Sequence, residues 1–234
     1  MTIDPLLVDC YELDGRKDWE SLASAGVPWV GAVIKATQGL YYRPQWFDQQ
    51  IRALSTVCPS RNGSTWFFGA YHYLDIGMDG AEQADYFLGA FGRAGVSLTA
   101  PGMLWPMVDV ERGGQRVPLT KTRVEDVTGK FAARVLAVTG RTPTLYGGEL
   151  LASLGITNHL GCGRLAIARY AATLPHDVVM RIGWGAPWIW QFCGDGEAYL
   201  PGYPSVAPGC GKVDISVLTG AGGLEQLAAD LAAP

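Results

Sequence analysis

The sequence predicts one α/β barrel of the (β/α)5(β)3 type, TIM-like but with reduced helices in its second half. Three observations predict it. Apolar strand-like runs alternate with amphipathic helical stretches through five units, and three further strand-like runs follow with little helix between them. The 234 residues come close to the roughly 250 of a typical barrel of this class. No linker, internal repeat or shift in composition divides the chain, so residues 1–234 read as one domain.

The elements follow in order. Leu6-Leu7-Val8-Asp9-Cys10 is a buried strand ending near a carboxylate. Asp18 caps a helix opened by Trp19 and Glu20, with Leu22 and Ala25 on one face, and Gly26-Val27-Pro28 ends it. Trp29 to Thr37 is the second strand, with Lys35 near its C-terminal end. Pro44 starts a helix through Val57 whose apolar stripe is Trp46, Phe47, Ile51 and Leu54. Asn62-Gly63-Ser64 is a turn, and Thr65 to Leu74 is a strongly aromatic third strand. Gly80 to Ala94 is a helix carrying Ala84, Phe87, Leu88 and Phe91. Met103 to Glu111 is the fourth strand, and Gly113-Gly114 breaks the chain. Thr120 or Thr122 caps a long helix with Val127, Phe131, Val135 and Val138 inside. Thr142 to Tyr146 is the fifth strand, with a short helix near Glu149–Leu154. Leu165–Tyr170, Trp188–Phe192 and Lys212–Leu218 are the last three strands, and a helix over Gly223–Leu231 closes the chain.

Composition excludes several functions. An apolar content of 48% against 17% charged residues fits a packed globule and not a disordered chain. The net charge of −4, with no basic run, argues against nucleic acid as a partner. No apolar run reaches the ~18 residues of a membrane span. Five cysteines and three histidines show no metal-ligand spacing, so neither a metal nor another cofactor is expected. Cys193 and Cys210 flank a Gly/Pro-rich loop, and spacing leaves open whether they form a disulfide or stay thiols. Met1 to Cys10 lacks the basic and apolar regions of a secretory signal. A monomer is expected.

The chemistry points to Asp109 and Glu111. Two positions apart on a strand, they share a face, with Cα atoms roughly 6.5–7 Å apart. Like charges that close raise one pKa, which suits a glycosidase that must hold a proton for a leaving oxygen. The plain alternative is two solvated carboxylates at a fraying strand end. In a barrel of this type the chemistry gathers where strands end. Asp9 on the first strand and Asp214 on the last then join the pair at one mouth, as supporting acids. Eight Trp and ten Tyr exceed what a core needs. Tyr71, Tyr73, Tyr146, Tyr170 and Trp190 are therefore candidates for a sugar platform. Lys35 is expected to pair with an acid, and His72 to be a satisfied strand histidine.

With those residues placed, the sequence resembles the glycoside hydrolase family 25 lysozymes, the Chalaropsis-type muramidases. The resemblance runs over nearly the whole chain: Asp9 with Gly15, Asp18 and Trp19; Ile34-Lys35-Ala36-Thr37-Gln38-Gly39; Gly69-Ala70-Tyr71-His72-Tyr73; Gln83-Ala84-Asp85-Tyr86-Phe87; Val108-Asp109-Val110-Glu111; Pro143 to Tyr146; Ile167-Ala168-Arg169-Tyr170; and Trp188-Ile189-Trp190-Gln191-Phe192 followed by Val213-Asp214-Ile215. Departures fall at Tyr11, Asp14, Gln38, Arg43 and Arg169, all near strand ends.

The resemblance implies cleavage of the β-1,4 bond between N-acetylmuramic acid and N-acetylglucosamine in peptidoglycan, as in a phage endolysin. Glu111 is then the general acid, and Asp109, ionised, orients the substrate's 2-acetamido group. Direct attack by Asp109, or inversion through Asp9 or Asp214, stays open, as does a barrel that binds glycan without cutting it. Gln191 joins Tyr71, Tyr146, Tyr170 and Trp190 as substrate-binding. The partner is a peptidoglycan strand, with no membrane insertion. Action on the bacterial wall after phage lysis or non-classical release is expected.

Overall fold

In a computed structural model that describes residues 4–11, 15–26, 28–57, 66–220 and 223–232, eight strands close into a barrel. Asp14, Val27, Cys58 and the expected Asn62–Ser64 turn lie outside the described residues. The first six strands run in chain order, each parallel to the next: β1 (Leu6–Cys10), β2 (Trp29–Gln38), β3 (Phe67–Tyr73), β4 (Met107–Asp109), β5 (Thr144–Tyr146) and β6 (Arg164–Ala168). β7 (Ile189–Gly194) pairs parallel with β6 and turns back through the short β8 (Glu197–Ala198). β9 (Asp214–Leu218) closes the barrel between β7 and β1, antiparallel to both.

Helices cover the outside. They are α1 (Trp19–Ser24), α2 (Phe47–Val57), α3 (Gly80–Ala94), α4 (Lys121–Thr139), α5 (Glu149–Ser153) and α6 (His176–Arg181). Local chemistry starts them as expected. Asp18 Oδ1 accepts from Ser21 N at 3.1 Å, and Thr120 Oγ1 accepts from Arg123 N at 3.4 Å, so Thr120 and not Thr122 is the cap. Each such cap contributes about 1 kcal/mol. Gly80 lets α3 meet α4 closely, since a Cβ there would lie 2.0 Å from the Val127 carbonyl oxygen.

Strand alternation divides the core in two. Val8, Ile34, Phe68, Val108 and Ile167 point outward and pack under Leu22, Ile51, Phe87, Phe91 and Phe131 of the helices. Burying each such side chain stabilises by about 1.5–3 kcal/mol. Leu7, Val33, Phe67, Met107 and Ala166 point inward. α7 (Gly223–Ala232) seals the barrel at the N-terminal ends of the parallel strands, with Leu227 and Leu231 in that inner cluster.

The predicted α/β barrel is present, two details differ from the expected elements, and one open question is answered. A six-residue helix, α6, lies between β6 and β7, where little helix is expected. β4 spans only three residues, so Glu111 sits beyond it. Cys193 carries a free, buried thiol, so the disulfide to Cys210 is not formed. No helix among the described residues is long and apolar enough to cross a membrane.

Candidate active site

The four predicted acids meet. Asp9, Asp109, Glu111 and Asp214 line one pocket with Tyr71, Tyr146 and Gln191, around about 350 Å³ of space open to solvent. Inward alternation puts them there. Tyr71, Asp109, Tyr146 and Gln191 each follow an inward apolar or small residue by two positions on their strands. Parallel register aligns Tyr73, Asp109 and Tyr146 on one rung. Asp214 arrives differently from what strand ends suggest. It begins β9, and because β9 is antiparallel that first residue lies directly opposite Asp9. Met107 forms part of the lining; it is unpredicted, yet legible as the residue two before Asp109 on the same face.

Three predicted residues, Tyr73, Tyr170 and Trp190, lie outside this lining. Tyr170 is 48% exposed at the rim; its hydroxyl accepts from Gln191 Nε2 at 3.2 Å, and its ring lies 5.9 Å from that of Tyr199. Trp190 is a correction. It is 4% exposed and packs in the layer between barrel and helices, with Nε1 donating to the Arg169 carbonyl at 2.9 Å. Alternation forces a choice between Trp190 and Gln191, and closure turns Gln191 inward.

Burial dominates the electrostatics. Asp109 is 6% exposed, and its Oδ1 has no hydrogen-bond partner. Burial first, then Glu111 and Asp9, push its pKa well above the ordinary carboxylate value, while Lys35 opposes them. Glu111 is raised too, by burial first and then by Asp214, again with Lys35 opposing. The sequence reading expects an ionised Asp109 beside a protonated Glu111. Burial raises both, so the pair as a whole retains a proton to higher pH than ordinary carboxylates do. Tyr71 and Tyr146 are raised far above the usual phenol value, by burial first and then by the acids, so both remain neutral donors.

The surroundings fix these groups. Asp214 Oδ2 accepts from Gln191 Nε2 at 2.7 Å and its Oδ1 from Asp195 N at 2.9 Å. Lys35 Nζ donates to Gln38 Oε1 at 2.7 Å and lies 4.8 Å from the Tyr73 ring centre. Tyr73 donates to the Gly113 carbonyl on the loop after Glu111. His72 is fully buried outside the barrel, between Thr37 Oγ1 at 2.7 Å and Gln83 Oε1 at 3.1 Å. Burial lowers its pKa to about 4, so it is a neutral structural residue at physiological pH. Among the described residues, no group of three or more His, Cys, Asp or Glu is arranged to hold a metal ion. Arg43 pairs with Asp48 at 3.1 Å and Arg169 pairs with Glu149, so both of these departures are held in surface ion pairs.

The family described as glycosyl hydrolases family 25 matches residues 8–200. A bacterial lysozyme from Streptomyces coelicolor shares the fold with a TM-score of 0.78 at 22% identity, over 98% of this chain and 97% of that one. A muramidase from Trichobolus zukalii gives 0.75 at 22% identity, over 96% and 97%. The catalytic domain of endolysin ply40 from bacteriophage P40 of Listeria monocytogenes gives 0.67 at 16% identity, over 97% and 98%. No curated protein sequence matches the chain significantly.

Proposed function

The chain belongs to glycosyl hydrolases family 25, and from that membership we propose that it is an N-acetylmuramidase that hydrolyses the β-1,4 bond between N-acetylmuramic acid and N-acetylglucosamine. The observation that carries the mechanism is Asp109 Oδ1, a buried carboxylate oxygen without a hydrogen-bond partner, in the pocket that Glu111 shares. An acetamido N–H of the substrate supplies the missing donor. Its arrival favours the ionised form of Asp109 and leaves Glu111 as the proton carrier.

Glu111 then donates to the glycosidic oxygen as the bond to the anomeric carbon breaks. The acetamido carbonyl oxygen attacks that carbon from the opposite face, forming an oxazolinium whose positive charge Asp109 balances. Glu111, now a carboxylate, takes a proton from water, which opens the ring and restores the acetamido group with configuration retained. Asp9 and Asp214 support the pair. Tyr71, Tyr146, Gln191 and, at the rim, Tyr170 bind the sugar. The protein acts on the bacterial wall as a monomer, after phage lysis or another non-classical release.

Purified peptidoglycan digested by the wild type and by Glu111→Gln tests this, with products read by mass spectrometry. The wild type should release fragments with muramic acid at the new reducing end, and the variant almost none. Wild-type turnover by the variant would remove Glu111 from its role. Binding of wall fragments without release of reducing ends would leave a glycan-binding barrel.

A further inference from the structure

Glu111 sits two residues beyond a strand that ends early, at Asp109. β3 and β4 pair in parallel with Tyr73 opposite Asp109, and Leu74 N donates to the Asp109 carbonyl at 2.9 Å. The next rung of a parallel ladder would set Glu111 opposite Asp75. The Glu111 peptide would donate to the Leu74 carbonyl and accept from Ile76 N. The Gln115 side chain makes both of those bonds instead. Its Nε2 donates to the Leu74 carbonyl at 2.8 Å, and its Oε1 accepts from Ile76 N at 3.0 Å. The same Nε2 donates to the Glu111 carbonyl at 3.0 Å.

We infer that Gln115 is a positioning residue for Glu111: its side-chain amide takes the ladder position that the Glu111 peptide would fill, and holds Glu111 by its carbonyl at the pocket. A primary amide carries one acceptor and a two-hydrogen donor, so it reproduces a peptide's ladder bonds and keeps a hydrogen for the displaced residue. Glu111 thereby leaves the strand without leaving Leu74 and Ile76 unsatisfied. The register between Asp109 and Glu111 is set through Leu74, which binds the Asp109 carbonyl by its N–H and Gln115 by its carbonyl.

This inference rests on Glu111 as the proposed acid. Gln83 supplies the comparison that separates positioning from stability. It clamps the same loop from the core side, with Asp75 N donating to Oε1 and Nε2 donating to the Asp75 carbonyl, both at 2.9 Å. Its side-chain hydrogen bonds go to His72, Asp75, Met78 and Asp79, none of which lines the pocket.

Gln115→Met and Gln83→Met are to be compared on a soluble peptidoglycan oligosaccharide, with kcat, KM, pH–rate profile and thermal stability measured for each. Gln115→Met is expected to lose about tenfold to a hundredfold in kcat with a smaller change in KM, the size of effect a misplacement of about 1 Å produces. Its basic limb should move to lower pH, as a loosened Glu111 gains water. Gln83→Met should lose more stability and keep kcat and both pH limbs. If Gln115→Met does not fold, Gln115→Glu replaces it. That variant keeps the acceptor for Ile76 and, when ionised, has no donor for Leu74 or Glu111, so the same loss in kcat is expected. Equal losses in kcat from the Gln115 and Gln83 variants, or unmoved pH limbs in the former, overturn the inference. Glu111→Gln, measured alongside, separates the two readings. If it is inactive while Gln115→Met behaves as wild type, the acid assignment stands and the positioning inference falls. If it turns over normally, the acid assignment itself falls.

Discussion

The two ends of the barrel bury charge in opposite ways. At the end away from the site, the Arg164 guanidinium lies 3.2 Å from the Trp105 ring centre and 5.2 Å from that of Trp188, and reaches Asp230 at 3.7 Å. The pair joins β6 to α7, so the charge is matched and covered where the helix seals the barrel. At the mouth, four carboxylates line one pocket, Lys35 is the cation that opposes their charge, and Asp109 keeps an oxygen with no hydrogen bond. An unsatisfied buried polar group costs about 1–3 kcal/mol. Each end thus keeps a polar atom without a hydrogen bond, Arg164 Nε at the sealed end and Asp109 Oδ1 at the mouth, and the one at the mouth lies in a pocket open to solvent, where a substrate can meet the demand.

The largest test of this contrast is Glu111→Gln, which should lower turnover by about 10²–10⁴-fold, the usual contribution of a general acid, with little change in stability. Calorimetry beside the assay would show whether chemistry and stability separate.

Asp109→Asn comes next, with an expected loss of about 10²–10³-fold in turnover as the stabilisation of the oxazolinium is removed. Its stability should move the other way, rising by about 1–2 kcal/mol at pH 7. The sign follows from linkage. Burial raises the folded pKa of Asp109 above its ordinary 3.8. Its contribution to stability is therefore full below that ordinary value and is lost as pH rises through the folded one. The advantage of Asp109→Asn should accordingly vanish at low pH. Denaturant titrations across pH check this, and an advantage that grows on acidification would contradict it.

At the sealed end, Arg164→Ala should cost about 2–3 kcal/mol through lost stacking and an ion pair left without its partner. Turnover of the folded fraction should stay unchanged. A shift in its pH–rate profile would mean that the two ends are not independent. The smallest effect is expected from Tyr170→Phe at the rim. Removing a half-exposed hydroxyl that accepts from Gln191 should raise KM by only a fewfold, on the order of 0.5–1 kcal/mol, with kcat kept.

Much of this was legible in the chain. Local periodicity placed β1 and the helix cap at Asp18 to the residue, and α3 closely, because alternation, amphipathic spacing and capping chemistry act over a few positions. The same short range made Asp109 and Glu111 stand out as an acid pair, and the motifs around them pointed to the family. The sequence by itself thus determined the strand order, the presence of acids near strand ends and the class of chemistry.

Closure decided the rest. The antiparallel direction of β9 set Asp214 opposite Asp9, and a strand's direction depends on its partners and not on its own residues. The inward choice of Gln191 over Trp190 is a parity fixed when β7 meets β6 and β9. The raised pKa of both acids came first from their burial in the pocket, which no spacing encodes. The early end of β4 came from Gln115, whose amide meets β3 only once the two strands lie side by side. Hydrogen bonds and desolvation act between neighbours in space, so these features exist only in the folded barrel.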